Sequence, residues 1–220
     1  MSTPHVFDVC IVGAGLWGSA AAKYCSEQEG ITVCLIGPSE ETSFLASKKS
    51  SVFGAHHDAG RIYSSVNTSI EWAKLAQRSV ANYNKIAEES GKFYLKIGHC
   101  KVDEFDISSE KEMYTWYCGQ GKPATAKRLA HLIHRICPGL KPLSLQSDTC
   151  VTLTTPTNQL YCDMVTPNFG ILIGGNGGGA KSSDEIGRIG AKMILKGEWD
   201  YDLPWQSFRA KWRSKQMCAL

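Results

Sequence analysis

The sequence predicts an α/β fold, because apolar runs of strand length alternate with helix-length segments along the 220-residue chain. Phe7 to Val12 and Ile31 to Ile36 are short apolar runs typical of buried strands, and Leu16 to Glu27 between them is rich in alanine. A strand, a helix and a strand in so short a span form a βαβ unit, so the two strands should be parallel. The chain is 43% hydrophobic, which is enough for one sizeable core.

Three glycines lie between the first strand and the first helix, in the order Gly13-x-Gly15-x-x-Gly18. Gly13 permits a tight turn, Gly15 lets the backbone approach a pyrophosphate, and Gly18 lets the helix pack closely on the strand. The free amide groups and the positive end of the helix dipole then face the phosphates. This context predicts a dinucleotide site; a glycine-rich turn that binds nothing is the alternative.

The end of the second strand departs from the dinucleotide-binding pattern. An Asp or Glu is expected there to bind the ribose hydroxyl groups, but Gly37 follows Ile36. Either Ser39 or Glu40 replaces that acid, or ribose recognition is weakened. No Arg follows directly to favour a 2′-phosphate.

The remaining elements are predicted from periodicity and from residues that begin or end helices. A capping box, Ser182-x-x-Glu185, should open a helix that runs to Lys196 and ends at Gly197. Residues 103–123 are charged and polar and show no sustained period. Further helices are predicted over residues 68–90 and 125–137, and further strands over residues 93–102, 150–154, 160–165 and 169–174.

A second glycine-rich segment, Gly174 to Gly179, again follows a predicted strand and precedes a helix. A nicotinamide-only domain has no need of this second junction, whereas a flavoprotein does. A helix N-terminus beside the flavin would stabilise the negative charge of the reduced ring. A loop without a ligand is the alternative.

Charge and cysteine usage exclude several classes of protein. The formal net charge is only +3, so nothing indicates nucleic acid or an anionic membrane surface as a partner. The nine cysteines include no C-x-x-C pair, which predicts reduced thiols and no metal site. No secretory signal is recognised, and Cys218-Ala219-Leu220 is a poor likeness of the peroxisomal S-K-L signal. The expectation is an intracellular protein, cytoplasmic or peroxisomal.

The chain resembles the FAD-dependent D-amino-acid-oxidase superfamily, and within it the monomeric sarcosine oxidase and pipecolate oxidase branch. The resemblance rests on residues 13–18 (GAGLWG), 56–61 (HHDAGR), 148–150 (DTC) and 174–181 (GGNGGGAK). It implies an FAD/NAD(P)-binding Rossmann-like domain built from both chain ends, residues 5–102 and 122–214. Residues 103–121 would be a short connection that replaces most of the antiparallel substrate domain, as in a shortened family member.

The resemblance also implies roles for single residues. Arg61 and Lys181 would be catalytic, beside the flavin and the substrate, and Cys150 would bond covalently to the flavin. For Arg61, the alternative is a loop arginine paired with an acid. For Cys150, the alternative is a cysteine of the core. The residues expected to contact the cofactor are Gly13, Ala14, Gly15, Leu16, Trp17, Gly18, Ser39, Glu40, His56, His57, Arg61, Cys150, Gly175, Gly177, Gly178, Gly179 and Lys181.

The implied function is oxidation of the C–N bond of a secondary amine or amino acid by a monomer that uses FAD and passes the electrons to oxygen. Its partners would be the small-molecule substrate and oxygen. Two other functions stay open. One is a truncated, inactive flavin-binding remnant, because the middle of the chain is short. The other is an NAD-linked dehydrogenase that uses only the N-terminal motif.

Overall fold

The computed structural model describes residues 6–37, 69–90, 106–119, 121–139, 141, 149 and 151–212, without the side chains of residues 84–90. The chain divides into two compact units. The described part of unit 1 comprises residues 6–37, 69–88 and 152–212, and that of unit 2 comprises residues 89–90, 106–119, 121–139, 141, 149 and 151. Unit 1 therefore holds both glycine-rich segments.

The described elements include a strand, a helix and a strand at the N-terminal end, and two strands followed by a helix at the C-terminal end, as the sequence predicts. In chain order they are β1 (Val9–Val12), α1 (Leu16–Ser26), β2 (Val33–Ile36), α2 (Ile70–Ser90), α3 (Glu110–Cys118), α4 (Pro123–Ile136), β3 (Tyr161–Thr166), β4 (Phe169–Ile173), α5 (Ser183–Lys196) and a short 3-10 helix (Trp205–Phe208). Among the described residues, no helix is long and apolar enough to span a bilayer.

The predicted βαβ unit is present at the start of unit 1. β1 and β2 are parallel, with Val9 opposite Val33 and Val12 opposite Ile36. Val9 is buried together with Cys25 of α1, so this face of the sheet packs on the helix. The prediction of two parallel strands joined by α1 is confirmed.

The C-terminal half of unit 1 surrounds a second core. β3 and β4, which the sequence predicts as strands, form an antiparallel hairpin with a turn at Pro167 and Asn168. β3 and α5 bury apolar side chains here together with α2 and the 3-10 helix. The buried residues of this core are Trp72, Leu75, Leu160, Cys162, Ile186, Ile189, Met193 and Phe208. The apolar side of α5 that faces this core carries Ile186, Ile189 and Met193.

α1 and α5 cross at a very short distance. A Cβ atom placed on Gly187 would lie 2.4 Å from the Cβ of Ala20 and 2.6 Å from the amide nitrogen of Ala21. Only a residue without a side chain fits there, and the small alanines of α1 complete the crossing. One turn further along α5, Ala191 is buried in the core that contains Val9 and Cys25.

Two segments differ from the sequence-based expectation. Residues 110–118, within the stretch without a sustained period, form α3. The Ser109 hydroxyl accepts the amide hydrogen of Glu112, whose carboxylate accepts hydrogen bonds from Ser108. Residues 151–154 do not form the predicted strand; instead, the carbonyl of Leu153 accepts a 2.8 Å hydrogen bond from the amide of Asn176. The strand predicted over residues 93–102 lies outside the described residues.

The close crossing of α1 and α5 predicts that one methyl group added at Gly187 lowers the free energy of unfolding. Gly187→Ala should destabilise the protein by about 1–3 kcal/mol, because the added atom forces two packed helices apart. Gly139→Ala is the matched control, since a Cβ there meets no atom within 4 Å; it should change the free energy of unfolding by less than about 0.5 kcal/mol. Urea denaturation measures both, and equal stability of the two variants would contradict the packing.

Candidate functional site

The first glycine-rich turn has the backbone geometry that its sequence predicts. Gly13 has φ +111°, in the left-handed region, and its amide donates to the carbonyl oxygen of Ile36 at 2.7 Å. A Cβ atom on Gly18 would lie 1.8 Å from the carbonyl oxygen of Gly13. The tight turn and the close approach of α1 to the turn therefore each require a glycine.

Among the described residues, no side chain caps the N-terminus of α1, and its first turn holds no acidic residue. Gly15 is the N-cap residue, with extended backbone, no side-chain cap and no Asp or Glu in the first turn. The first intrahelical bond runs from the amide of Ser19 to the carbonyl oxygen of Gly15 at 2.9 Å. The amides of residues 16–18 precede that bond, so this helix end can donate hydrogen bonds to a phosphate group.

Gly37 accounts structurally for the missing acidic residue at the end of β2. A Cβ atom on Gly37 would lie 2.5 Å from both the Cβ and the amide nitrogen of Ala14. An Asp or Glu at this position would therefore displace the glycine-rich turn. Ser39 and Glu40, the predicted replacements, lie outside the described residues.

Trp17 joins the two glycine-rich segments. Its indole N–H donates to the carbonyl oxygen of Gly179 at 2.9 Å, and a Cβ atom on Gly179 would lie 2.6 Å from the Trp17 ring. A Cβ atom on Gly178 would lie 2.8 Å from the Trp72 ring. Two of the predicted cofactor glycines thus make room for tryptophan rings, and the first and second glycine-rich segments meet inside unit 1.

The other predicted residues of the second segment lie in the turns between β4 and α5. Gly175 has no close neighbour that excludes a side chain, whereas Gly177 has φ +71°. Lys181 lies two residues before α5 and is half-buried, and this burial lowers the pKa of its ammonium group. His56, His57, Arg61 and Cys150 lie outside the described residues.

The N-terminus of α5 differs from that of α1. Ser182 is the N-cap residue, but its side chain makes no capping hydrogen bond, so the predicted capping box is not formed. Instead, α2 caps the helix: the amides of Glu185 and Asp184 donate to the hydroxyl oxygens of Ser79 and Tyr83 at 3.0 and 3.4 Å. Both acidic residues of the first turn are buried. The expectation that this helix end stabilises an anionic ring is therefore not supported.

Two buried carboxylates hold the helices of unit 1 together. Glu185 accepts hydrogen bonds from Arg188 of its own helix at 2.8 and 2.9 Å and from Arg78 of α2 at 3.1 Å. Its hydrogen bonds raise the pKa of Arg188. Asp184 accepts the hydroxyl hydrogen of Tyr24, on α1, at 2.7 Å. Burial and this hydrogen bond raise the pKa of Tyr24, so its hydroxyl keeps its proton at neutral pH.

Sequence reasoning missed the part that α2 plays in this region. Tyr83 donates to the carbonyl oxygen of Ala180 at 3.1 Å, and its hydroxyl lies 2.6 Å from that of Ser183. The helical period places Trp72 and Tyr83 on one apolar face of α2. That pattern is a signal for burial, and nothing in it identifies what the tyrosine hydroxyl contacts.

A protein-family model described as FAD dependent oxidoreductase (DAO) matches residues 8–117, which is half of the chain. The matched part starts at the first strand, contains the complete glycine-rich turn and ends within α3. No curated protein and no solved structure shows a significant match.

Because the carboxylate of Glu185 is buried, removing the charge of Arg78 should lower the stability more than removing the charge of Lys74. Arg78→Met takes one guanidinium group from a carboxylate that is 3% exposed and should cost about 1–3 kcal/mol of stability. Lys74→Met removes an exposed partner of Asp202 at 2.6 Å and should cost at most about 1 kcal/mol. Urea denaturation at neutral pH compares them; a larger loss in Lys74→Met would contradict the role of Glu185.

Proposed function

The chain belongs to the FAD-dependent oxidoreductase family, and from this membership we propose that it binds FAD in unit 1 and oxidises the C–N bond of a secondary amine or amino acid, as an oxidase of the sarcosine and pipecolate type. The observation that carries the proposal is the uncapped, uncharged N-terminus of α1 behind the turn at Gly13. FAD, when bound, accepts a hydride equivalent from the substrate and passes the electrons to oxygen.

The pyrophosphate would be held by the first glycine-rich turn. The amides of Leu16, Trp17 and Gly18 would donate to its oxygens, and the positive end of the α1 dipole would stabilise its negative charge. No acidic residue of the first turn of α1 opposes this charge. The arrangement fits the phosphate part of FAD.

The adenosine ribose would be recognised without an acid at the end of β2. The contact between Gly37 and Ala14 leaves no room for one. We assign the ribose contact to Ser39 or Glu40, which follow Gly37 closely in sequence.

The ring of the flavin would face the second glycine-rich segment. The hydrogen bond from Trp17 to Gly179 supports this, because it brings that segment to the helix end that would hold the pyrophosphate. One extended cofactor could then contact both segments, including Gly175 and Gly177. Lys181 would hold the substrate carboxylate or donate a hydrogen bond to the ring. By resemblance, His56, His57 and Arg61 would complete the ring site.

A second candidate function is that of an inactive flavin-binding remnant, and one observation favours it. Val12 and Ile36 lie on the face of the β1–β2 sheet opposite α1, and they are 82% and 50% exposed. Parallel sheets normally have both faces covered. A chain without that cover could retain the cofactor and lack a substrate pocket.

The proposed function predicts the behaviour of one glycine variant. Gly15 has φ −76° and ψ −174°, which valine also adopts, so Gly15→Val should fold. Its side chain would enter the space of the pyrophosphate and weaken FAD binding about tenfold or more, a loss of at least about 1.4 kcal/mol. Flavin absorbance after reconstitution measures this, with circular dichroism as the folding check and Gly139→Val as the matched control.

The same preparation separates the two candidate functions. Wild-type protein that holds FAD and releases peroxide on addition of sarcosine or pipecolate supports the amine oxidase. Bound FAD without turnover of either compound supports the remnant. Absence of flavin binding by the wild type, or full binding by Gly15→Val, would refute the site itself.

The resemblance further predicts that Cys150 bonds covalently to FAD. Flavin fluorescence should then travel with the acid-denatured chain on a gel and should disappear in Cys150→Ser. Cys162→Ser is the control, because Cys162 is 1% exposed and its Sγ lies 3.3 Å from the sulfur of Met193, inside the core. Complete release of flavin from the loaded wild type into the acid supernatant would show that the bond does not form.

A further inference from the structure

β1 and β2 each carry a cysteine at the same level of the sheet. Cys10 lies directly opposite Cys34 in the parallel register, and both are free thiols. Neighbouring strands are about 4.8 Å apart, within the range of about 4.4–6.8 Å that Cα atoms of disulfide-bonded cysteines span. Opposite residues of neighbouring strands point to the same face, so the backbone places the two thiols side by side.

The two thiols share one face of the sheet and can be reached from outside the molecule. Partial burial, together with the neighbouring Cys10, raises the pKa of Cys34. Cys10 is exposed and Cys34 is half-buried. Their face of the sheet is the one on which Val12 and Ile36 are exposed. A small polar oxidant can therefore reach Cys10 first.

The other cysteines of the described part of the chain are placed differently. Cys25 and Cys162 are 0% and 1% exposed, which shields them from an oxidant in solution. Cys118 is exposed and Cys137 half-buried, and both lie in unit 2 at the ends of helices. Within the described strands, Cys10 and Cys34 are the only cysteines in mutual register.

We propose that Cys10 and Cys34 form a reversible redox-modification site, which a peroxide converts into a cross-strand disulfide. The Cys10 thiolate attacks one peroxide oxygen; the S–O bond forms, the O–O bond breaks, and the departing hydroxide takes up a proton to become water. The Cys34 sulfur then attacks the resulting sulfenic acid; the S–S bond forms, the S–O bond breaks, and a second water leaves with the Cys34 proton. Two thiols lose two electrons and two protons, and one peroxide molecule becomes two waters.

The position of this pair connects it to the glycine-rich turn. Cys10 lies three residues before Gly13, and Cys34 lies three residues before Gly37. A disulfide would close the loop formed by α1 and would fix the spacing of the two strand ends that carry these glycines. The reaction requires no bound cofactor and no turnover, so it is tested independently of the proposed function.

The experiment treats the purified full-length protein with a small excess of hydrogen peroxide, blocks remaining thiols with an alkylating reagent, and analyses intact mass and non-reduced peptides. Oxidation should remove about 2 Da from the wild type, and the alkylated product should carry two fewer alkyl groups than the untreated protein. The peptides of Cys10 and Cys34 should be linked, and dithiothreitol should reverse the change. Cys10→Ser and Cys34→Ser should each abolish the link. Cys118→Ser is the matched control and should retain it.

Several outcomes would overturn the proposal. A gain of about 16 or 32 Da without the linked peptide would show oxidation to sulfenic or sulfinic acid alone. Linked peptides from other cysteines, or the same mass loss in Cys10→Ser, would assign the disulfide elsewhere. The peptide map of the wild type decides these cases even where a variant fails to fold, and circular dichroism identifies such a variant.

Discussion

The close crossing of α1 and α5 is the constraint on which the rest of unit 1 depends. Gly187 brings the backbone of α5 against Ala20 and Ala21 of α1. The helices that follow the two glycine-rich segments are therefore in direct contact. The indole of Trp17 can then reach Gly179, 162 residues away in the sequence. Without that crossing, the two segments would be separate turns.

The two helix N-termini that this crossing brings together have opposite electrostatic character. α1 begins with a glycine, its first turn holds no acidic residue, and no side chain of the described part of the chain binds its first amides. α5 begins with two buried carboxylates, and the hydroxyls of Ser79 and Tyr83 occupy its first amides. A phosphate is therefore expected at one end only. The glycine pattern alone does not distinguish the two ends; the side chains of α2 do.

The parts of the fold that follow from local pattern could be predicted from the sequence. The βαβ unit, its parallel pairing, the tight turn at Gly13 and the extent of α5 depend on residues that are close together in the chain. The short helix α3 could not, because its nine residues carry no apolar stripe long enough to recognise. Its signal was the Ser109-x-x-Glu112 spacing. The same spacing at Ser182 correctly predicts the helix but not its cap, because side chains of α2 bind the first amides there.

The long-range contacts of the site could not be read from the sequence for a related reason. Whether Gly178 and Gly179 serve a ligand or a side chain depends on which rings pack on them, and Trp72 lies more than a hundred residues earlier. Likewise, the missing acid after β2 is visible as Gly37, but its cause is a contact with Ala14 in another turn. A pattern gives the residue type that a position requires, and the packing gives the reason.

The exposed face of the β1–β2 sheet connects the stability of the chain with its chemistry. Each exposed apolar side chain forgoes burial worth about 25 cal/mol per Å² of surface, so Val12 and Ile36 leave this sheet less stable than one covered on both faces. The same exposure lets an oxidant approach Cys10. Any segment or molecule that covered Val12 and Ile36 would also shield Cys10, since the three lie on one face of two strands. The rate at which this thiol reacts therefore measures whether the face is covered in solution.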